Sequence, residues 1–478
     1  MFETLFRLRR RLRFILPVVP ILLIVLFVGA RVRGGPSPVK MKVRGYITAR
    51  PDEHTAAILD DQIHFSAATR LSQHTLGGET TASAGALGVG SLIEAEGTWV
   101  GKHQFSAERI TIEVDEIQKQ IHNTAYLQEE PSDTTRIAGG EPAVLKADGE
   151  RLVLREETKR EWNREKAAAL VPVSGDSGSS PFAGSSSLAG FQVRYSGNRG
   201  QDGLIAAEKV ELGPPAPRDA YKMPHGLEVV RAKDPQTGID ILEFRRGKKV
   251  DGRLKLFPVR EVQEYVTQLG VSLLPQGSQG TTKSLDFRFF VIEDPSINAL
   301  ALPDGTVFLN TGLLGAVDNE AELAFVLSHE IAHVLQVHSW REVHETRPAR
   351  IGLLVAGIAA GAFIGDVGLF LAEVGMISVV NGHQRALENQ ADRLGLQNVI
   401  EHGYDARQAP NFMRIIVERY ANRSTSKIWS NHDSSLLRGS FLTVQLLREY
   451  PQAQFAGKTV DTKAFREMRE AMGPVKIE

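Results

Sequence analysis

The sequence predicts an α+β protein with three parts: an N-terminal membrane helix, two small β modules in tandem, and a C-terminal domain whose recognisable elements are helices. Three observations support this prediction. They are an apolar run near the N-terminus, an internal repeat between residues 41 and 213, and helical spacing of apolar residues after position 320. The 478 residues are enough for three domains of about 150 residues each.

The composition excludes several kinds of function. The 56 Lys and Arg residues nearly balance the 57 Asp and Glu residues, so a formal net charge of −1 creates no global field for nucleic acid. We therefore predict no nucleic-acid partner. The chain has no cysteine, which rules out disulfides, thiolate metal sites and cysteine nucleophiles. Any metal ion must be held by His, Asp or Glu.

Residues 1–13 form a basic segment and residues 14–30 a candidate transmembrane anchor. The anchor contains only apolar residues, Pro and Gly, and as a helix it would reach about 26 Å. Five arginines precede it, which predicts a cytoplasmic N-terminus. The expected protein is single-pass in the cell membrane, with everything downstream on the extracytoplasmic, periplasmic side. The alternative is a cleaved signal peptide and a secreted or periplasmic product.

Residues 41–118 and 133–213 read as two copies of one β module. Residues 93–97 recur 100 positions later as residues 193–197, and the segment before them recurs at an offset of 89. The offset changes within Gly- and Ser-rich loops, where insertions are tolerated. Each copy resembles a small OB-fold barrel.

The two β modules are predicted to act as spacers or as contact sites for protein partners. An OB-like barrel that binds nucleic acid needs aromatic side chains for stacking and a basic groove. Each copy has few aromatic residues and mixed charge. This composition favours a structural or protein-binding role.

The chemistry of the chain is expected in residues 226–478, which follow a Pro-rich linker at residues 214–225. Apolar residues at three- and four-residue steps predict a helix over residues 321–338, capped by Asp318 or Asn319. The apolar positions of this helix are Leu323, Val326, Leu327, Ile331, Val334 and Leu335.

The pattern H-E-x-x-H occupies residues 329–333 of this helix. The four-residue spacing stacks His329 and His333 on one face, where both can reach a single Zn²⁺. Glu330 lies about 100° around the helix and can reach a water without being a ligand. A catalytic zinc takes a third protein ligand, and Glu388 on a downstream helix is the candidate. Asp392, one turn later, can hold a ligand imidazole by its distal N–H.

Two further features of this region need an interpretation. His338 lies five residues after His333, about 140° around a continuous helix, and is predicted to be structural. Residues 351–380 are strongly apolar, but a single membrane crossing there would separate His333 from Glu388, which must share one metal. We predict a lid or an amphipathic hairpin at the membrane interface.

These motifs together resemble the HtpX / CAAX prenyl protease / Oma-type family of zinc metalloendopeptidases. Residues 298–305 and 310–314, the H-E-x-x-H motif and residues 388–392 occur in the family's order. The resemblance implies a mostly helical zincin-type metallopeptidase domain with one Zn²⁺ held by His329, His333 and Glu388. It also implies that Asn298 and Ala299 lie along the cleft edge and pair with the substrate backbone.

A second stretch, His432 followed by Arg438, resembles the His-Pro and Arg that the family carries near its active site. Asp433 stands where the family has Pro. The resemblance implies that His432 and Arg438 stabilise the transition state.

The predicted function is that of a membrane-anchored zinc metalloendopeptidase. It would hydrolyse peptide bonds of misfolded or envelope proteins by zinc-activated water, with Glu330 as general base. The alternative is a non-proteolytic or chaperone-like factor for envelope assembly and quality control, in which the zinc core is a scaffold and the β modules bind partners. Glu330 weighs against this alternative, because a scaffold needs no base.

Overall fold

A computed structural model describes residues 41–75, 78–113, 121–127, 143–155, 157–161, 191–200, 204–223, 226–275, 285–345, 384–420, 432–450 and 455–477. The predicted anchor at residues 14–30 and the apolar segment at residues 351–380 lie outside these ranges. Among the described helices, none is both long and apolar enough to cross a membrane. The predicted α+β class is confirmed: the N-terminal part is rich in strands and the C-terminal part is mainly helical.

Eight strands of the first β module form one sheet. Their order is β1-β7-β8-β4-β3-β2, and the hairpin β5–β6 joins the C-terminal half of β8. Apolar side chains of β1, β3, β4, β7 and β8 fill one core. The strands are β1 (Met41–Tyr46), β2 (Ala49–Asp52), β3 (Thr55–Ile58), β4 (Asp61–His64), β5 (Arg70–Thr75), β6 (Gly78–Thr81), β7 (Leu92–Gly101) and β8 (Gln104–Ile112).

The second β module repeats this topology. Its strands are β9 (Ile121–Tyr126), β10 (Ala143–Ala147), β11 (Glu150–Leu154), β12 (Lys159–Glu161), β13 (Phe191–Arg199) and β14 (Ile205–Pro215). β11 and β12 pair in parallel with β14, as β4 and β5 pair with β8. β9 takes the place of β1, so the second sheet begins at residue 121 and not at the predicted residue 133.

The two copies also share a left-handed turn. The turn before β4 begins with Leu59 at φ 55° and the turn before β11 with Asp148 at φ 64°, both in the left-handed region. Within the described strands, β1 and β2 are the ends of the first path, and β9 and β10 are the ends of the second. No described strand pair closes either sheet into the predicted barrel.

Gly97 and Gly197 occupy the same bulged position in the two modules. The register shifts between Glu96 and Gly97 in β7 and between Ser196 and Gly197 in β13. A Cβ added to Gly97 would lie 2.0 Å from a backbone oxygen of β8, and one added to Gly197 would lie 2.3 Å from a backbone oxygen of β14. Both positions therefore require glycine.

We expect Gly97→Ala and Gly197→Ala each to lower the free energy of unfolding by about 1–3 kcal/mol, because the methyl group meets backbone that must shift. Gly101→Ala is the matched control in β7, since its Cβ would lie at an ordinary 3.6 Å from Gln104. That variant should change stability by at most about 0.5 kcal/mol. Urea unfolding measures all three, and equal midpoints for Gly97→Ala and Gly101→Ala would contradict the packing argument.

The described part of the segment predicted as a linker (residues 214–225) is residues 214–223, and it packs against the C-terminal domain. A short 3₁₀ turn at Arg218–Tyr221 follows β14. Ala216 and Tyr221 are buried in the main core together with Tyr126 of β9. A Pro-rich stretch looks like a loop in sequence, but here tertiary burial holds it in place.

The first β module also packs on the C-terminal domain. The backbone N–H of Tyr46 donates to Ser440 Oγ at 2.9 Å. A Cβ added to Gly439 would lie 3.0 Å from Leu59 Cδ1, so the Leu59 turn lies close against that helix.

The C-terminal domain combines two three-stranded sheets with helices. One sheet is the meander β15 (Glu228–Lys233), β16 (Asp240–Arg246) and β17 (Lys249–Lys255). The other has the order β18-β20-β19 and consists of β18 (Arg288–Ile292), β19 (Ala299–Ala301) and β20 (Thr306–Asn310). The helices are α1 (Arg260–Ser272), α2 (Thr311–Ala316), α3 (Glu320–Leu335), α4 (His338–Glu345), α5 (Gln384–Glu401), α6 (Gln408–Tyr420), α7 (His432–Glu449) and α8 (Lys463–Met472).

Helix α3 is the predicted H-E-x-x-H helix, but it ends earlier than predicted. Asn319 caps it by accepting the Glu322 N–H at 3.0 Å. The six predicted apolar positions are all buried. The helix ends at Leu335, Val337 adopts a left-handed φ of 49°, and α4 begins at His338. The predicted single helix over residues 321–338 is therefore two helices with a sharp turn between them.

Candidate metal centre

Three side chains from two helices converge at the centre of the C-terminal domain. His329 and His333 lie one turn apart on α3, and Glu388 lies on the adjacent α5. The two Nε2 atoms are 3.0 Å apart. The Glu388 carboxylate lies 3.5 Å from His329 Nε2 and 3.4 Å from His333 Nε2. Among the described residues, this is the group of His and acidic side chains whose donor atoms could share one metal ion.

The donor spacing fits a tetrahedral zinc site. With ligand bonds of about 2.1 Å, the corners of a tetrahedron lie about 3.4 Å apart. The two Nε2 atoms lie 3.0 Å apart, and Glu388 places Oε2 3.5 Å from His329 Nε2 and Oε1 3.4 Å from His333 Nε2, all close to this value. Two imidazoles and one carboxylate leave a fourth corner open, which is the arrangement of catalytic zinc sites.

Asp392 and Arg438 contact this donor group on the side of the distal nitrogen of His329. Asp392 Oδ1 lies 3.0 Å from His329 Nδ1, the distal nitrogen of the ring. Arg438 on α7 binds Asp392 with two donors, at 2.8 and 2.7 Å, and lies 3.2 Å from Glu388. Asp392 and Arg438 are both buried. Arg438 therefore neutralises two carboxylates at once and directs its donors toward them.

The charges of the donor set follow from this packing. Burial disfavours a charged imidazole, but Asp392 and Glu388 outweigh it and raise the pKa of His329 to about 9. Burial lowers the pKa of His333 to about 4. Glu388 is only partly buried, and Arg438 and the two histidines hold its pKa well below the usual range. The set thus has one ionised carboxylate, one neutral imidazole and one imidazole whose proton a metal ion would displace.

Glu330 lies on the same helix, next to the donor set but outside it. The side chain is buried, and burial raises the pKa of its carboxyl to about 7. The backbone N–H of Ala301 acts in the opposite direction by donating to this carboxyl. A carboxyl with a pKa near neutrality can both accept and release a proton at physiological pH.

The edge strand β19 runs beside this carboxylate. The Asn298 carbonyl accepts the Asn310 N–H and the Leu302 N–H reaches Thr306, so both bonds point toward β20. Ala299 and Ala301 form the pairs with β20 that exchange no hydrogen bonds. Their backbone N–H and C=O groups therefore point away from β20, to the outer edge of the sheet. Of the two residues expected to pair with substrate, Ala299 has outward backbone groups and Asn298 does not.

His338 has a contact that the sequence did not predict. Its Nδ1 lies 2.9 Å from Nδ1 of His333, so it touches a metal-binding candidate without joining the donor group. The left-handed conformation of Val337 turns the chain so that the His338 ring lies against His333. A helical-wheel angle assumes a continuous helix, and no signal in the sequence marks a left-handed valine.

His432 begins α7 and its role in the transition state stays a prediction. Arg438, the other residue of that pair, lies six positions later and contacts Asp392 and Glu388 as described above.

A small cavity beside His333 is lined by residues of β19 and α3, among them Ala301 and Val334.

Comparisons with known proteins agree with this site. The family model described as peptidase family M48 matches residues 261–448. A putative beta-barrel assembly-enhancing protease of Vibrio cholerae is 33% identical over 165 residues, which cover 33% of this chain and 34% of the relative. The beta-barrel assembly-enhancing protease of Escherichia coli K12 is 31% identical over 172 residues, 34% of each chain.

A mitochondrial metalloendopeptidase OMA1 of Schizosaccharomyces pombe is 31% identical over 183 residues, which cover 37% of this chain and 50% of the relative. The chain spans about a third of the length of the assembly-enhancing proteases and half of this metalloendopeptidase. The similarity to the family model covers the helices that carry His329, Glu388 and Arg438.

Proposed function

We propose that this chain is a zinc-dependent metalloendopeptidase, because residues 261–448 match the model of peptidase family M48. The observation that carries the proposal is the donor set of His329, His333 and Glu388 at tetrahedral spacing, with the Glu330 carboxyl buried beside it. A non-catalytic metal site has no use for a carboxyl whose burial raises its pKa to about 7.

The roles of the site residues follow from their contacts. His329, His333 and Glu388 would hold one zinc ion per chain. When bound, zinc supplies a Lewis acid that polarises the substrate carbonyl and makes water more acidic. Glu330 accepts the proton of the attacking water and then delivers it to the departing amine.

Asp392 and Arg438 hold this arrangement in place. Asp392 orients the His329 ring through Nδ1, and Arg438 keeps both Asp392 and Glu388 ionised. Because the guanidinium donors of Arg438 bind Asp392 and Glu388, a supporting role for Arg438 is favoured over direct stabilisation of an oxyanion. His432 stays the candidate for the latter role.

The substrate would bind as an extra strand on β19. The outward backbone groups of Ala299 and the Ala301 carbonyl provide hydrogen bonds that any extended peptide can make, which gives affinity with little demand on sequence. Unfolded segments of proteins fit this description. The names of two relatives connect them with β-barrel assembly, which supports misfolded or envelope proteins as the substrates of this chain.

We place the chain in the cell membrane through residues 14–30, with the peptidase on the extracytoplasmic side or, after cleavage, free in the periplasm. The arginine-rich segment before that span supports this orientation. The two β modules would serve as OB-like protein-contact modules, and their docking on the C-terminal helices supports a structural part of that role.

Metal removal and return tests the proposal on the full chain in mild detergent. After chelation, we expect the protein to bind one equivalent of zinc, and zinc at 1,000 times its Kd should raise the free energy of unfolding by about 4 kcal/mol. Cleavage of an unfolded protein substrate should be lost on chelation and restored by zinc. Cleavage that persists without metal, or failure to bind zinc, would refute the proposal.

A further inference from the structure

A buried chain of polar contacts connects the candidate ligand His333 to the second β module. His333 Nδ1 lies 2.9 Å from His338 Nδ1, and His338 Nε2 lies 2.9 Å from Gln390 Oε1. The Gln390 amide then donates from Nε2 to Asp148 Oδ1. Asp148 lies in the turn between β10 and β11, far from α5 in sequence but in contact with it in space.

Each contact of this chain has only one chemically sensible direction. With Nε2 of His333 turned to the metal, its proton resides on Nδ1 and is donated to His338. His338 then accepts at Nδ1, carries its own proton on Nε2 and donates to the Gln390 oxygen. The Arg341 guanidinium donates to the same oxygen at 2.7 Å. Gln390 must therefore aim its NH₂ group at acceptors, and these are the Asp148 carboxylate and, at 3.4 Å, the Thr124 carbonyl.

The turn that carries Asp148 is held firmly enough to act as a fixed point. The second carboxylate oxygen of Asp148 accepts hydrogen bonds from Tyr195 at 3.0 Å and from Arg393 of α5 at 2.7 Å. A Cβ added to the following Gly149 would lie 2.8 Å from the backbone of Arg393, so the turn is pressed against α5. Asp148, Gln390 and His338 are all buried.

We propose that Asp148 and Gln390 are positioning residues for the metal ligand His333, acting through His338, so that the second β module is part of the apparatus that orients the metal site. The inference rests on the proposed zinc-peptidase function and adds a determinant outside the M48 domain. Asp148 fixes the Gln390 amide, and the amide fixes the His338 tautomer. That tautomer leaves the Nε2 lone pair of His333 free for the metal.

The test compares two glutamines that join the same module to the same domain. Gln390 contacts Asp148 and His338, whereas Gln336 exchanges two hydrogen bonds with the Tyr126 backbone at 2.7 and 2.8 Å and does not touch His338. In the full chain, Gln390→Met removes four hydrogen bonds, to Asp148, His338, Arg341 and the Thr124 carbonyl, and Gln336→Met removes the two bonds to the Tyr126 backbone. Zinc affinity is measured by chelator competition, the Co²⁺-loaded absorption spectrum reports ligand geometry, and melting of the metal-free protein reports docking.

We expect Gln390→Met to weaken zinc binding about 10- to 100-fold and to change the Co²⁺ spectrum. Gln336→Met should also lower the melting temperature of the metal-free protein, because it too removes buried contacts between module and domain, but it should change zinc affinity less than about threefold. Equal zinc affinities in the two variants would overturn the inference while wild-type zinc binding still stands. A wild type that binds no zinc refutes the proposed function instead. If Gln390→Met does not fold, Asp148→Gly takes its place, because glycine accepts the φ of 64°.

Discussion

Replacing Glu330 with Gln should lower kcat for peptide hydrolysis by about 10²- to 10⁴-fold while the protein still binds one equivalent of zinc. The amide is nearly isosteric with the carboxyl, but it cannot accept a proton from water. The side chain is not part of the donor group formed by His329, His333 and Glu388, so zinc affinity should change little. Its carboxyl is buried with a pKa of about 7, and a neutral amide there removes a burial cost. Stability should not fall.

Glu388→Gln is the matched control, because it makes the same chemical change on a residue of the donor set. That variant should lose both zinc binding and hydrolysis, since a neutral amide replaces the ionised ligand. Stopped assays of an unfolded substrate, together with zinc quantification on the same samples, measure both effects. Hydrolysis by Glu330→Gln at more than a tenth of the wild-type rate would contradict the assignment.

The same variant separates the two proposed classes of function. A peptidase whose role is proteolysis should not rescue a deletion phenotype when it carries Glu330→Gln. A factor that uses the zinc core as a scaffold should rescue fully, because the variant keeps its zinc. Substrates that accumulate on the inactive variant would also identify the proteins that this chain acts on.

Replacing Arg438 with Met should lower the free energy of unfolding of the metal-free protein by about 3–5 kcal/mol. Arg438 is buried and binds Asp392 with two donors and Glu388 with a third. Its removal leaves two carboxylates in a buried site with one cation fewer. Arg438→Lys should recover little of the loss, since an ammonium cannot make the two-pronged contact and reach Glu388 together. Thermal and urea unfolding after chelation measure the effect.

Arg419→Met is a matched control for this second prediction. Arg419 also binds a single carboxylate with two donors, to Asp318 at 2.7 and 2.8 Å, but that pair is exposed. We expect this variant to cost about 0–1 kcal/mol. If both arginine variants lose the same stability, burial is not what makes the Arg438 contacts strong. Zinc should restore part of the loss in Arg438→Met, because the metal replaces the missing positive charge beside Glu388.

Spacing within each helix, together with the resemblance of the motifs to a known family, was enough to predict that the side chains of the donor set come together. His329 and His333 lie one helical turn apart in any continuous α-helix, and Glu388 with Asp392 obey the same rule, so geometry within a helix gives their faces. The structure brings these four residues together as that geometry requires. Apolar periodicity likewise identified the buried face of α3, because the positions it marks are all in the core.

Features that depend on tertiary contacts were not predictable from the sequence. The contact of His338 with His333 depends on a left-handed Val337, which interrupts the helical phase. The buried segment after β14 looks like a linker, because burial of Ala216 is decided by the domain it touches. The outward groups of Ala299 follow from the pairing of β19 with β20, and a three-residue strand has too short a pattern to reveal its register.

The left-handed turn shared by the two β modules contacts a different helix in each module, so the two modules are not interchangeable. A duplicated module carries two copies of the same corner, and each copy now faces a different helix of the domain. The Leu59 corner lies against Gly439, next to Arg438, and the Asp148 corner bonds to Gln390 and Arg393. One corner presents the apolar Leu59 side chain and the other the Asp148 carboxylate, each complementary to its own neighbour. Exchange of the two modules, or deletion of either, would therefore leave a helix of the metal site without its matching corner.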